Sequence, residues 1–473
     1  MKNIKNELEL LYKSKIIIDN KIKVLEKQLE LNSDFTFILS SNIEINISNL
    51  SKDIVTELKE LATFDNPQIQ ILQNLRKPIF NTPRKIYSFE INKQILTLPR
   101  GLMRDVIFIL NSYSLKYKMI DKRLVIQNKF VKVVFTLRDE QKIACENILK
   151  KDFCICVAPP GFGKTLLGAE VISKRAVNTL VIVNKNMLLD QWIDRFVNYY
   201  DMDKKEIGFL GKSKNKLNGK LDIATMQSLK NNIDIIKNYS FVVVDECHHI
   251  PALTFENIIK QFRGKYILGL SATPKRKDAM DPILFQQLGN IAYEVKRKKT
   301  TTNKLEIVNT DFTSEVDNFA ELLGELINDE NRNNIILSQI LKYKKRKILL
   351  LTDRIEHIDN LAKLLDNVGL EYISIHGSQK KQEKEENFKK VINSSLVLAT
   401  TSYFGEGIDF PHLNTIIFAT PISYYGRLVQ YLGRIGRGGS DCLAIDILDD
   451  KNNFTKSAFR KRSDGYKQLH YKK

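Results

Sequence analysis

Residues 153–172 read FCICVAPPGFGKTLLGAEVI, and three local signals follow one another inside that stretch. FCICV is a short apolar run of strand character, APPGFG is a tight loop, and KTLLGAEVI has helical character. Gly161 and Gly163 let the backbone wrap around an anion with its N–H groups turned inward, where side chains would obstruct it. The helix opening at Lys164 aims its positive dipole end at the same place. This strand, loop and helix together form a grip for a triphosphate, with Lys164 reaching the β- and γ-phosphates and Thr165 holding Mg²⁺. Ala158 stands where such loops commonly start with glycine, so that position must manage with ordinary φ and ψ.

A second element lies 81 residues beyond Lys164, where FVVVDECHH is a buried strand ending in Asp245 and Glu246. Phosphoryl transfer needs a metal anchor and a group that positions the attacking water. Asp245 is the candidate for the first and Glu246 for the second. His248 and His249 have no third ligand at metal spacing, and His249 is expected to link this strand end to its neighbour.

Outward from these motifs, FCICVA, TLVIVN, LDIATM, FVVVDE and YILGLSAT alternate with helical segments over residues 131–300. That alternation implies a parallel sheet covered on both faces, with ligands at the C-terminal strand ends. VKRKKTTTNK, 295–304, reads as a linker. A second alternating block follows over 301–473: KILLLTD, YISIHG, SLVLATT, TIIFATP and CLAIDIL. The fold class is therefore α/β, with two tandem parallel-sheet domains. Residues 1–32 carry helical spacing at Leu8, Leu11, Ile18, Ile22, Leu25 and Leu29 and read as a helical arm. Residues 33–130 mix short strands, FTFILS and RLVIQ, with a helix opened near Pro99, giving an α/β accessory domain. The basic C-terminal segment, KSAFRKRSDGYKQLHYKK, reads either as a nucleic-acid-binding tail or as a solvated terminal helix.

Within the second block, QYLGRIGRGG places Arg434 and Arg437 three residues apart, on one face if helical, after Gln430 and beside Gly433 and Gly436. Guanidinium groups aimed at a γ-phosphate stabilise transition-state charge. Acting across a cleft, they would close the two domains on ATP and release them on hydrolysis, which is a motor stroke.

Composition agrees. The 473 residues carry 74 Lys plus Arg against 55 Asp plus Glu, a formal net charge of +19, which implies an anionic partner such as nucleic acid. No apolar run is long enough to span a membrane, and the charged N-terminus does not read as a signal peptide, so the cytoplasm is the expected compartment. Five scattered cysteines form no CxxC or zinc pattern and are expected reduced and buried, with Cys154 and Cys156 facing opposite ways along their strand.

Together these residues resemble the superfamily 2 helicases, and the motifs occur in that family's order over about 135–440. FTLRDEQ (135–141) resembles the element upstream of the phosphate loop and APPGFGKT resembles motif I, in which alanine at the first position is common. VNKNMLLDQW resembles motif Ia, ATMQSL the motif Ic region, DECHH a DExH motif II and SATP (271–274) motif III. LTDRIEH resembles motif IV, ATTSYFGEGIDFP motif V and QYLGRIGR motif VI. The stretch from Val244 to Asp278 looks most like the XPB-like branch, which includes phage, viral and defence-associated members and moves 3′ to 5′ on DNA.

The resemblance implies two RecA-like domains, with ATP and Mg²⁺ as cofactors. It implies nucleotide contacts at Arg138, Gln141, Pro160, Gly161, Phe162, Gly163, Lys164, Thr165, Gly407, Asp409 and Gln430. Coupling falls to His249, Ser271, Ala272 and Thr273. Backbone contacts to nucleic acid fall to Asn184, Lys185, Gln227, Ser228, Thr352, Arg354, His376, Gly377 and Thr401. The accessory region occupies the place of that branch's DNA-damage-recognition-like domain, but the branch's Arg-Glu-Asp element is not apparent. The expected activity is an ATP-dependent DNA helicase or translocase. An ATP-gated clamp that remodels a protein–DNA assembly without strand separation, and an RNA helicase, stay open. A restriction or conflict role would need a nuclease, which 1–130 do not show, so a partner protein would supply it; transcript release and recombination repair are equally open.

Overall fold

The computed structural model describes Ile18 and residues 35–128, 133–159, 161–249, 252–272, 279–295, 303–404, 410, 412–422, 425–433, 435, 441–469 and 471–472. The expected arm at 1–32, apart from Ile18, and most of the expected linker lie outside them.

Three sheets carry the chain. The N-terminal one has the order β5-β6-β2-β1-β7, from β1 (Phe35–Leu39), β2 (Asn42–Asn46), β5 (Glu90–Asn92), β6 (Ile95–Pro99) and β7 (Tyr117–Asp121). Helices Lys52–Leu61 and Met103–Ser112 close its apolar face through Ile54, Leu58, Val106 and Leu110. Between them β3 (Thr63–Asp65) and β4 (Lys85–Tyr87) pair as a separate two-stranded ribbon. RLVIQ, read as a strand, forms two isolated bridges among the described residues, Leu124 with Gly264 and Gln127 with Val177. Its partners belong to different loops, so no ladder can propagate from it.

The first large sheet has the order β11-β10-β12-β9-β13-β14-β8-β15. Its strands are β8 (Phe153–Val157), β9 (Thr179–Val183), β10 (Gly208–Gly211), β11 (Lys214–Lys216), β12 (Leu221–Thr225), β13 (Phe241–Asp245), β14 (Tyr266–Ser271) and β15 (Ile291–Glu294). Every pairing is parallel except the β10–β11 hairpin. Strands β9, β12 and β13 are buried throughout because one face packs on Leu167, Trp192 and Phe196 and the other on Phe255, Ile258 and Leu284. Cys154 and Cys156 lie together on the first face and Ile155 and Val157 on the second. That corrects the expectation of opposed thiols, since residues two apart in a strand point the same way. All five cysteines are free and buried, and burial pushes the Cys154 and Cys156 thiols up to about 12.

The second large sheet, order β16-β21-β20-β17-β19-β18, is wholly parallel. It contains β16 (Lys304–Asn309), β17 (Ile348–Thr352), β18 (Ile373–Ile375), β19 (Leu396–Thr400), β20 (Thr415–Phe418) and β21 (Leu443–Leu448). The basic C-terminal segment is a terminal helix, as one of the two readings had it, but solvated on one face only, where Lys456, Arg460, Lys461 and Lys467 are exposed. It forms the helix Asn453–Gln468, whose Tyr466, with the following Leu469 and Tyr471, packs into the core beneath this sheet. Its Arg462 grips Asp446 of β21 with both Nε and Nη2 at 2.7 Å.

Two buried side chains fix how the elements meet. Arg100, fully buried, donates to the carbonyls of Ser41 (3.0 Å), Gly264 (2.8 Å) and Phe262, joining the N-terminal sheet to the loop before β14. Burial lowers its guanidinium to about 9. Beside it, a Cβ on Gly101 would lie 2.4 Å from the Gln286 carbonyl, so only glycine permits that approach. In the second large sheet, His357 bridges Thr352 Oγ1 and Asn333 Oδ1, each at 2.8 Å.

Burial, then the charge of Arg332, lowers His357 from 6.5 to about 3. Above the unfolded value both states are neutral; as pH falls below it, the unfolded chain takes up a proton that the folded chain refuses, so stability is lost. Between pH 6.5 and about pH 5 the loss approaches ~2 kcal/mol at 1.36 kcal/mol per unit. His357→Gln should flatten the fall in melting temperature over that interval, and an unchanged slope would refute the assignment.

Candidate active site

The sheet order places β13, β14 and β8 side by side and parallel, so their C-terminal ends converge. There Ala158 N donates to the Ser271 carbonyl at 2.9 Å, fastening the start of the loop to β14. Ala158 is buried and absent from the residues with positive φ, so the alanine needs no glycine-like backbone. Gly161 and Gly163 take φ of 83° and 90°, and a Cβ on Gly163 would meet Gln141 Nε2 at 2.6 Å. The loop thus keeps the open backbone curve that the sequence demanded.

Arg138 and Gln141 hold that curve. Arg138 Nη2 and Gln141 Nε2 both donate to the Phe162 carbonyl at 2.6 Å, while Arg138 N donates to Gln141 Oε1 at 2.9 Å. Gln141 is buried and, with Arg138, steadies the loop in this structure.

The charged groups meet beyond the loop. Lys164 Nζ lies 3.3 Å from Glu246 Oε1 and donates to the Ala158 carbonyl at 3.2 Å. Asp245 accepts from Trp192 Nε1 at 2.8 Å and from the Glu246 amide at 3.0 Å. Burial, then the neighbouring Glu246 charge, pushes the Asp245 carboxyl up to about 6. Thr165 Oγ1 accepts from Arg195 Nη1 at 2.8 Å. His248 Nδ1 stands 2.9 Å from Ser271 Oγ and 3.5 Å from Glu246 Oε2. Two carboxylates here face one ammonium, an arrangement that suits a hard divalent cation with oxygen ligands. The donor set and the glycine curve both fit Mg²⁺ and a triphosphate.

Sequence reasoning missed three of these side chains. Trp192 closes VNKNMLLDQW, and only the packing of helix Asn186–Tyr200 against the sheet brings it to Asp245. Arg195 follows three residues later, one helical turn on, where it reaches Thr165. His248 links this strand end to Ser271; the link expected of His249 falls on a side chain outside the described set. Ala272 follows Ser271 at the strand end and is buried. Pro160, Thr273, Gly407, Asp409, Arg434 and Arg437, and the Gln430 side chain, are also outside the described residues.

The expected nucleic-acid contacts gather at strand ends. Asn184 and Lys185 follow β9, Gln227 and Ser228 follow the adjacent β12, and Lys185 and Gln227 are exposed. In the second large sheet Arg354, His376 and Gly377 lie at the ends of β17 and β18, with His376 Nδ1 2.8 Å from Ser378 Oγ. Thr352 and Thr401 depart from expectation. Both are buried; the Thr352 hydroxyl turns inward to His357, and that of Thr401 donates to the half-buried Asp353.

Two family models match the chain: Type III restriction enzyme, res subunit, over residues 134–276, and Helicase conserved C-terminal domain, over residues 331–439. A protein of Acanthamoeba polyphaga mimivirus, provisionally named an ATP-dependent RNA helicase, is 27% identical over 71% of this chain and 68% of its own length. The DNA 3′-5′ translocase XPB2 of Sulfurisphaera tokodaii is 25% identical over 67% of this chain and 82% of its own. The solved structure of S. cerevisiae Dbp5 bound to RNA and ADP BeF3 matches 71% of this chain and 88% of that one, with a TM-score of 0.54 and 14% identity, a likeness of fold.

Proposed function

We propose that this chain, which belongs to superfamily 2 of the helicases and is a nucleic-acid-dependent ATPase, moves along DNA and separates its strands. The observation that carries the reading is the convergence of Lys164, Asp245 and Glu246 at the ends of the parallel strands β8 and β13, which flank β14, beside a glycine loop with two left-handed residues. Residues 131–300 would form the ATP-binding lobe, 301–473 the second lobe and 33–130 the accessory domain. When bound, Mg²⁺ and ATP bring the γ-phosphoryl group to be transferred to water.

In the proposed roles, the loop amides and Lys164 hold the phosphates, and Thr165 and Asp245 hold the metal. Trp192 and Arg195 orient those two oxygens through the bonds they already make. Glu246 orients the attacking water and takes its proton. Gly407, Asp409, Gln430, Arg434 and Arg437 would complete the pocket from the second lobe. His248 contacts both Glu246 and Ser271, so a change in the carboxylate reaches the strand end leading into SATP. We assign Asn184, Lys185, Gln227, Ser228, Arg354, His376 and Gly377 to phosphate-backbone contacts, which predicts salt-sensitive, sequence-tolerant binding. The proposed setting is the cytoplasm. A nuclease or a repair or transcription protein as partner would fit the same motor.

DNA is favoured over RNA by the likeness to the XPB2 translocase, although the mimivirus relative is named for RNA. Turnover measured with matched single-stranded DNA, duplex, fork and RNA should rise most with DNA. Preference for RNA would reverse the choice, and indifference to every nucleic acid would remove the motor reading. Displacing a triplex strand without unwinding a duplex would select translocation alone.

A further inference from the structure

The chain makes an excursion between β3 and β4 that no role above uses. From Asn66 to Phe89 there is no Asp or Glu, while Arg76, Lys77, Arg84 and Lys85 are all exposed. At its tip the Thr82 amide donates to the Ile79 carbonyl at 2.9 Å, closing a turn with Phe80 and Asn81 at the apex. Phe80 is 95% exposed, and Tyr87, on the returning strand, is 61% exposed.

The excursion is held in place. Asn66 Nδ2 donates to the Pro83 carbonyl at 2.9 Å, its amide donates to the Arg84 carbonyl at 2.8 Å, and its Oδ1 caps the helix Pro67–Asn74 at 3.0 Å. Pro78 and Pro83 flank the turn and stiffen it. An aromatic ring in water at the summit of a basic excursion, with Asp65 opposite Lys85 at its base as the nearest ribbon carboxylate, suits a ligand that is polyanionic and carries flat apolar faces. Unpaired bases on a phosphate backbone have both properties. A base-paired stretch offers its phosphates but keeps its faces stacked away.

We propose that residues 75–87 form a second nucleic-acid site, in which Phe80 stacks on a base of single-stranded DNA and Arg76, Lys77, Arg84 and Lys85 hold the adjoining phosphates. The site rests on the reading of the chain as a DNA motor and adds to it a hold on the separated strand outside the two large sheets.

The test uses the full-length protein without nucleotide. Phe80→Ala, harmless to folding at 95% exposure, should lower affinity for oligo-dT about tenfold and leave duplex affinity unchanged. Phe80→Tyr should restore it. In Phe80→Trp the new indole should be quenched by oligo-dT, against a background from Trp192 that is buried and bonded to Asp245. Charge reversal at Arg84 and Lys85 should flatten the salt dependence of oligo-dT binding. Equal affinities for wild type and Phe80→Ala, in a protein whose ATPase still responds to DNA, overturn this site alone. The same holds if the Phe80→Trp signal answers to RNA, or to a protein, but not to DNA. A wild-type ATPase deaf to all nucleic acids overturns the motor reading and this site with it.

Discussion

Glu246→Gln should reduce DNA-stimulated ATP turnover by about 10²–10⁴-fold while ATP binding stays equal or tightens. Glutamine keeps the shape but can neither accept the water's proton nor carry charge. The structure adds a second consequence. Lys164 is paired with Glu246 at 3.3 Å, so removing that carboxylate frees the ammonium for phosphate. It also removes the like charge that, after burial, raises the Asp245 carboxyl, so Asp245 should ionise more readily and hold the metal better. The variant should therefore trap nucleotide, whereas Lys164→Ala should lose both binding and turnover. Steady-state phosphate release and binding of a fluorescent ATP analogue would be compared for the two. Turnover within threefold of wild type in Glu246→Gln would end its assignment as the group that activates water.

Much of the nucleotide side of this site was legible because it is local. Gly161, Gly163, Lys164 and Thr165 lie within five residues, and Asp245 and Glu246 are consecutive, so their chemistry survives without knowledge of the fold. The strands were legible for a related reason. Buried parallel strands read as continuous apolar runs, and the runs of both large sheets appear where the ladders form. What stayed hidden depended on packing between distant segments. Trp192 reaches Asp245 across 53 positions. Thr352 looked available at a strand end, yet His357 on the following helix turns its hydroxyl inward. RLVIQ had strand composition but no strand beside it. The His248 contact with Ser271 was hidden because which residue of a short helical turn faces that strand depends on backbone direction, which composition does not record.

The C-terminal helix shows the same limit most sharply, and its core role sets the other large expected effect. Arg462→Ala should destabilise the chain by about 3–5 kcal/mol. Arg462 is 1% exposed and its bidentate partner Asp446 is fully buried on β21. Arg462 Nη1 also reaches the Ile422 carbonyl at 3.4 Å, and Tyr466 donates to Asp446 Oδ2 at 2.9 Å. Truncation leaves the Asp446 carboxylate in the core with one neutral donor in place of a matched cation, and desolvation without compensation is what makes such losses large. The neighbouring Lys461 is exposed, so Lys461→Ala should stay within about 0.5 kcal/mol. Replacing both members of the pair, Arg462→Met with Asp446→Leu, should recover most of the loss, because an apolar pair needs no charge compensation. Denaturant unfolding of the four proteins would decide it. A loss under about 1 kcal/mol in Arg462→Ala would mean the helix is held by Tyr466, Leu469 and Tyr471 alone, with the ion pair contributing only register.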